Sequence, residues 1–211
     1  MGAGLGGGSA DAAATLHSLN RLWEAKLSPE ELRRLAVSIG ADVSFGLIGG
    51  TALARGIGEE ITRLPPLPPV RVLLAKPPFS VDTGSVYQNL IITSETRHPK
   101  TKDLIRSIGK GDIWKGVSFW GNLLEDVTLK RHPEVGRIIE RLKEEGLPAR
   151  MSGSGPTVFA LLPEGKDISK LRKALAPEGW WWREGRFVQE GVEIRQIKEG
   201  EWNGKKAIDP D

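Results

Sequence analysis

Residues 70–75, Val-Arg-Val-Leu-Leu-Ala, are apolar at all but one position and follow Pro65-Pro66-Leu67-Pro68-Pro69, a segment that can be neither helix nor central strand. The pattern predicts a buried strand beginning just after a boundary. Residues 157–162 carry a similar pattern, and 192–197 read as a further strand. Upstream of the prolines, 51–56 and 59–64 read as two strands joined at Gly56-Ile57-Gly58, a glycine-flanked turn. Helices fill the intervals. The first runs from the glycine-rich start to about Glu24, with Ser9 as its expected N-cap. The second opens on Ser28-Pro29-Glu30-Glu31, which offers an N-cap, a proline at the first helical position and a capping-box glutamate, and Gly40 is expected to end it. A short helix is expected near Thr83. Residues 101–145 are mostly helical, broken at Gly109-Lys110-Gly111 and His132-Pro133 and stopped at Gly146, and 168–175 form another helix. Strands mixed with helices in this way predict an α+β architecture. The prolines divide it into residues 1–64 and 70–197, with 198–211 as a polar tail.

Composition narrows the classes of function. The 211 residues contain no cysteine, which excludes a disulfide scaffold and a thiolate zinc site. The 30 basic and 27 acidic residues are interspersed, as in Glu30-Glu31-Leu32-Arg33-Arg34, so the net charge of +3 describes solvated helix faces and not a nucleic-acid patch. No apolar run reaches membrane-spanning length and no signal segment opens the chain, so a cytoplasmic protein with no membrane partner is expected. His17, His98 and His132 are not at metal-ligand spacing, and no built-in metal site is expected. Trp180-Trp181-Trp182 reads as core packing with one face exposed.

The chemistry is concentrated in the first fourteen residues, MGAGLGGGSADAAA. Glycines leave no Cβ between backbone N–H groups and a ligand, and the positive end of the following helix attracts an anion, so this loop can cradle phosphate. A Walker A loop is excluded because no lysine follows the glycines. Gly2, Gly4 and Gly7 fit G-x-G-x-x-G, but a second helix follows where a dinucleotide fold needs a strand. A glycine linker has the same composition; what favours a phosphate loop is that the glycines run straight into a helical segment. Asp42, just past the Gly40 stop, suits either a proton acceptor for an alcohol or a cap for a short following turn. Tyr87, the single tyrosine, suits either base stacking or ordinary half-burial.

Three motifs together resemble one family. Gly2-Ala3-Gly4-Leu5-Gly6-Gly7-Gly8-Ser9-Ala10-Asp11-Ala12-Ala13 resembles the second signature of the GHMP kinases, and its triple glycine is the form seen in the branch acting on a cytidine-diphosphate polyol. Gly40-Ala41-Asp42-Val43-Ser44-Phe45 is similar to that branch's catalytic stretch, and Ser152-Gly153-Ser154-Gly155-Pro156-Thr157 to the third signature. The resemblance implies the GHMP kinase fold, with an incomplete N-terminal nucleotide-binding domain in 1–64 and a C-terminal α/β-sandwich domain in 70–197. It implies ATP as phosphoryl donor, Mg2+ arriving with the nucleotide, and a small-molecule substrate, a cytidine-diphosphate polyol of the non-mevalonate isoprenoid pathway. A homoserine or mevalonate type of kinase is the alternative, and a non-catalytic fragment is the other.

Residue by residue, the resemblance assigns Gly2, Ala3, Gly4, Leu5, Gly6, Gly7, Gly8, Ser9 and Ala10 to the nucleotide, and Asp42 to the hydroxyl proton. Tyr87 and Thr83, with Ile57 of the hairpin turn, fall to the cytidyl substrate, and Gly153, Ser154 and Gly155 to a supporting loop. Two departures stand out. Ser44 replaces the family's proline, which is expected to loosen the turn after Asp42. Family members carry a segment with the first signature and a lysine before the glycine loop. A chain starting at Met1 is therefore expected to hold residues 1–64 less firmly than the part from residue 70 onward, and to be inactive by itself.

Overall fold

The computed structural model describes residues 2–171 and 179–194. Two units of unequal core lie in it. The first contains three helices and a hairpin. Helix α1, Gly7–Leu22, starts from Gly6 in a left-handed conformation, φ 64°, and has no side-chain cap. This corrects the expectation for Ser9, which lies inside the first helical turn: glycine at 6 makes the entry bend itself, so no hydroxyl is needed there. Helix α2, Pro29–Ile39, has the full capping box at Ser28 and Glu31. The Ser28 hydroxyl and backbone N–H hold the Glu31 carboxyl below its ordinary range.

Gly40 ends α2 as expected, but it also starts a helix that was not expected, α3, Ala41–Ile48. Asp42 is therefore a first-turn helical residue, with Gly40 as the N-cap, and not a residue of an isolated turn. What stabilises α3 is packing: Ala13, Ala36 and Val43 bury one another at the junction of the three helices. A Cβ on Gly46 would stand 2.8 Å from that of Ala13, so glycine allows α1 and α3 to touch. Ser44 does not loosen this region. It is fully buried, and its hydroxyl lies 2.9 Å from the Ala41 carbonyl and 3.1 Å from that of Gly58, tying α3 to the hairpin turn. The hairpin itself is as expected, β1, Ala52–Arg55, antiparallel to β2, Glu60–Arg63, with Leu53 opposite Thr62.

The second unit is a four-stranded antiparallel sheet covered by helices. Its strands are β3, Arg71–Lys76; β4, Ala149–Met151; β5, Val158–Leu162; and β6, Trp181–Arg186, in the order β4-β5-β3-β6. Between β3 and β4 run α4, Thr83–Gln88; α5, Thr101–Gly109; α6, Ile113–Gly116; a 3₁₀ turn, Val117–Phe119; α7, Leu123–Arg131; and α8, Pro133–Glu144. The interruptions at 109–111 and 132–133 are present, as is a stop at Gly146, φ 74°. A further break at Trp120-Gly121-Asn122 was not foreseen. Among the described residues the core has fifteen buried side chains, with Leu73, Ile138, Leu142 and Met151 at its centre, against three at the α1–α2–α3 junction.

Trp181 and Trp182 lie in an edge strand paired to β3; Trp180 is buried, Trp182 packs on the main core and Trp181 is exposed, in line with core packing that leaves one face open. The strand expected at 192–197 is not seen over 192–194, and 195–197 lie outside the described residues. Of the helix expected at 168–175, residues 169–171 are helical and 172–175 lie outside the described residues. After β6 the chain returns to the first unit. Phe187 N donates to the Val70 carbonyl at 3.1 Å, the Gln189 side chain to that of Leu67 at 2.6 Å, and Val192 packs on the Ala13–Ala36–Val43 cluster. Among the described residues no helix is long and apolar enough to cross a membrane.

Candidate functional site

The glycine loop is fixed by its carbonyls and leaves its amides open. Val81 N donates to the Gly2 carbonyl at 3.1 Å, Thr157 N to that of Ala3 at 3.2 Å, and Ser152 Oγ to that of Gly4 at 2.7 Å. Gly2 and Gly4 hold left-handed φ values of 74° and 76°. A Cβ on Gly4 would press on the Ser152 carbonyl oxygen and come within 2.8 Å of that of Gly155. These glycines are required by close backbone approach. Gly7 and Gly8 differ: a Cβ on either would meet no heavy atom within 4 Å. The first helical bond of α1 runs from Ala10 N to the Gly6 carbonyl, so the N–H groups of Gly7, Gly8 and Ser9 have no intrahelical acceptor. Three free amides and the positive end of a sixteen-residue helix thus converge on open space.

That space is a cleft of about 800 Å³. The glycine loop and the first turn of α1 form one wall, the α2–α3 junction with Asp42 a second, and Thr83, Tyr87, Gly153 and Ser154 a third. The charged side chains lining it are Asp11 and Asp42. Among the described residues the Asp42 side chain makes no hydrogen bond or ion pair, so its carboxylate is neither a cap nor half of a salt bridge. Tyr87, 59 % exposed, presents its ring to the cleft from α4. The hydroxyls of Thr83 and Ser154 share a hydrogen bond of 2.8 Å and close the third wall.

Of the residues singled out in the sequence, Gly2, Ala3, Gly4, Leu5, Gly6, Gly7, Gly8 and Ser9 line the cleft with Asp42, Thr83, Tyr87, Gly153 and Ser154. Ala10 and Gly155 do not line it. Ile57 is 74 % exposed at the hairpin tip and does not line the cleft; the hairpin approaches through Gly58, packed on Ala41. Sequence reading named Ser152 in the third motif without a role, though its hydroxyl anchors the glycine loop, and it missed a set of residues at and in α7 behind the Ser152-Gly153-Ser154-Gly155 turn. Asn122, Glu125 and Thr128 each bond a backbone group of residues 151–154. Their three-residue spacing on one helix face was the available signal.

Oxygen donors on the cleft wall, Ser9, Asp11 and Asp42, suit a hard cation brought in on a polyphosphate. Among the described residues no group of three or more acidic or histidine side chains could hold a metal alone.

Comparisons with known proteins agree with this geometry. The model of the GHMP kinases N terminal domain matches residues 1–54, and that of the GHMP kinases C terminal domain matches 113–180. The chain is 48 % identical over 167 residues to 4-diphosphocytidyl-2-C-methyl-D-erythritol kinase of Lachnoclostridium phytofermentans, covering 79 % of this chain and 57 % of the relative. It is 50 % identical over 177 residues to the enzyme of the same name from Pelotomaculum thermopropionicum, covering 83 % and 61 %. A crystal structure of 4-(cytidine 5'-diphospho)-2C-methyl-D-erythritol kinase superposes with a TM-score of 0.70 at 34 % identity, over 89 % of this chain and 67 % of that one. The chain therefore spans less than two thirds of the length of these two curated relatives.

Proposed function

We propose, from the premise that this chain belongs to the GHMP kinase family, that it supplies the nucleotide cradle, the proton acceptor and the base platform of an ATP-dependent kinase. Its alcohol substrate is 4-diphosphocytidyl-2-C-methyl-D-erythritol, in the non-mevalonate isoprenoid pathway of the cytoplasm. The observation that carries this reading is the meeting in one cleft of the open amides at Gly7, Gly8 and Ser9, the unpaired Asp42 carboxylate and the exposed Tyr87 ring.

In the transfer, the substrate hydroxyl oxygen bonds to the γ-phosphorus as the bond to the β–γ bridging oxygen breaks and ADP leaves. The amides of the loop and of the α1 N-terminus hold phosphate oxygens. Asp42, on the opposite wall, accepts or orients the hydroxyl proton, a role for which a carboxylate without an ion pair is free. Tyr87 offers a face on which a cytosine ring stacks, worth about 1–3 kcal/mol. Ser9, Asp11 or Asp42 would hold magnesium arriving with the nucleotide, which would supply neutralisation of phosphate charge.

Titration calorimetry of this chain with ATP and magnesium, then with 4-diphosphocytidyl-2-C-methyl-D-erythritol, homoserine or mevalonate, tests the reading. Micromolar to millimolar ATP binding and preference for the cytidyl alcohol are expected. Preference for homoserine or mevalonate overturns the substrate assignment, and absence of ATP binding overturns the cradle.

A further inference from the structure

The Ser152-Gly153-Ser154-Gly155 turn is gripped from behind by a single helix. The Asn122 amide donates to the Met151 carbonyl at 3.0 Å and the Gly153 carbonyl at 2.8 Å, while its Oδ1 accepts Leu124 N–H at 3.0 Å as the cap of α7. One turn on, the Glu125 carboxylate, 6 % exposed, accepts Met151 N–H at 3.0 Å and pairs with Arg150 at 2.8 Å. Thr128, fully buried, donates to the Ser154 carbonyl at 3.0 Å. None of the three lines the cleft. Capping needs only the Asn122 oxygen, and a buried charge beside a strand end contributes little to packing. Both donors of the amide and the whole face of α7 are instead committed to the shape of the turn. The turn in its own right touches the glycine loop through Ser152 Oγ on the Gly4 carbonyl and through the Ser152 and Gly155 carbonyls that stand where a Gly4 side chain would be.

We propose that Asn122, Glu125 and Thr128 are positioning residues that lock the Ser152-Gly153-Ser154-Gly155 turn in the shape that holds the glycine loop in its anion-binding form. This rests on the nucleotide reading of the cleft. The discriminating variants are Asn122→Ser and Asn122→Asp. Both keep an oxygen that caps α7. Serine loses both amide donors, and aspartate also sets a carboxylate against two carbonyl oxygens.

Three readouts are needed: the melting temperature, the Kd for ATP with magnesium, and, without ligand, hydrogen exchange of the Val81 and Thr157 amides, which donate to the Gly2 and Ala3 carbonyls of the glycine loop. The expected series is a Kd raised about threefold by Asn122→Ser and about tenfold by Asn122→Asp, with exchange of those two amides accelerated in the same order and melting shifted by no more than about 2–4 °C. Thr128→Val accelerates the same amides and Thr128→Ser restores them, because only the hydroxyl reaches Ser154. Unchanged affinity and exchange in Asn122→Asp overturn the proposal. So does a loss of affinity that merely follows a global loss of melting temperature. Graded exchange in chains none of which binds ATP, the parent included, upholds the grip on the loop and overturns the nucleotide reading.

Discussion

Replacing Gly7 and Gly8 together by alanine separates a phosphate-binding glycine from a structural one. Both positions are helical, with φ in the ordinary negative range, and the added methyl groups would meet no heavy atom within 4 Å. Nothing in the folded chain resists them. The exchange also removes backbone freedom from the unfolded chain, which stabilises by about 0.4–1 kcal/mol per site where the native conformation is compatible. The double variant should therefore melt about 2–4 °C higher, the shift expected of about 1 kcal/mol in a chain of this size. On the proposed reading, the same methyl groups crowd a phosphate held close to the backbone at Gly7 and Gly8. Loss of one hydrogen bond to a charged oxygen costs about 1.5–3 kcal/mol, so the Kd for ATP should rise by at least about tenfold. Scanning calorimetry and ATP titration on one preparation give both numbers. Gly4→Ala is the control with the opposite stability sign, because its methyl group collides with the Ser152 carbonyl at a φ of 76°. A double variant that binds ATP as tightly as the parent would refute the assignment of Gly7 and Gly8 to phosphate.

Three further outcomes follow from the site and the core. In a protein that also carries the family's first-signature segment, Asp42→Asn should lower turnover by about 10²–10⁴-fold while ATP affinity and melting temperature stay within twofold and about 2 °C; near-parental turnover removes Asp42 from proton transfer. Tyr87→Ala should weaken the cytidyl substrate by about 5–100-fold, with Tyr87→Phe close to parental and neither unfolding the chain, because the ring is exposed. In hydrogen exchange, amides of α1, α2 and α3 should exchange faster than those of β3, β5 and α8, as among the described residues the first group packs on a cluster of three buried apolar residues and the second on one of fifteen; equal protection would show that the small core is sufficient.

What could be read in the sequence was what local chemistry decides. The Ser28-Pro29-Glu30-Glu31 start of α2, the Gly56–Gly58 hairpin and the apolar run of β3 each carry their own instructions, and the structure follows them. Helix α3 was hidden because Ala-Asp-Val-Ser-Phe-Gly-Leu-Ile has neither a strong cap nor a strong propensity, and forms where Gly46 lets Ala13 come close and the Ser44 hydroxyl finds the hairpin. Strand β6 was hidden for a similar reason. Trp-Trp-Arg-Glu-Gly-Arg has no alternation of apolar and polar residues, and it becomes a strand because β3 offers it a ladder. The glycine loop, Asp42 and Tyr87 were visible as residue types in motifs. Ser152 was visible in the third motif but its bond to Gly4 was not, and Asn122 was marked only by its spacing from Glu125 and Thr128, since a side chain bonded to distant backbone leaves no composition signal.

Among the described residues, the wall proposed to cradle an anion has no cationic side chain. On the proposed reading the attraction of this wall comes from peptide dipoles, so salt screens a partial charge there in place of a whole one. An evolving or engineered copy can alter many neighbouring side chains and keep the cradle. On the proposed reading, methyl groups at its glycines are enough to weaken it, so the vulnerability of this wall lies in backbone shape and not in charge.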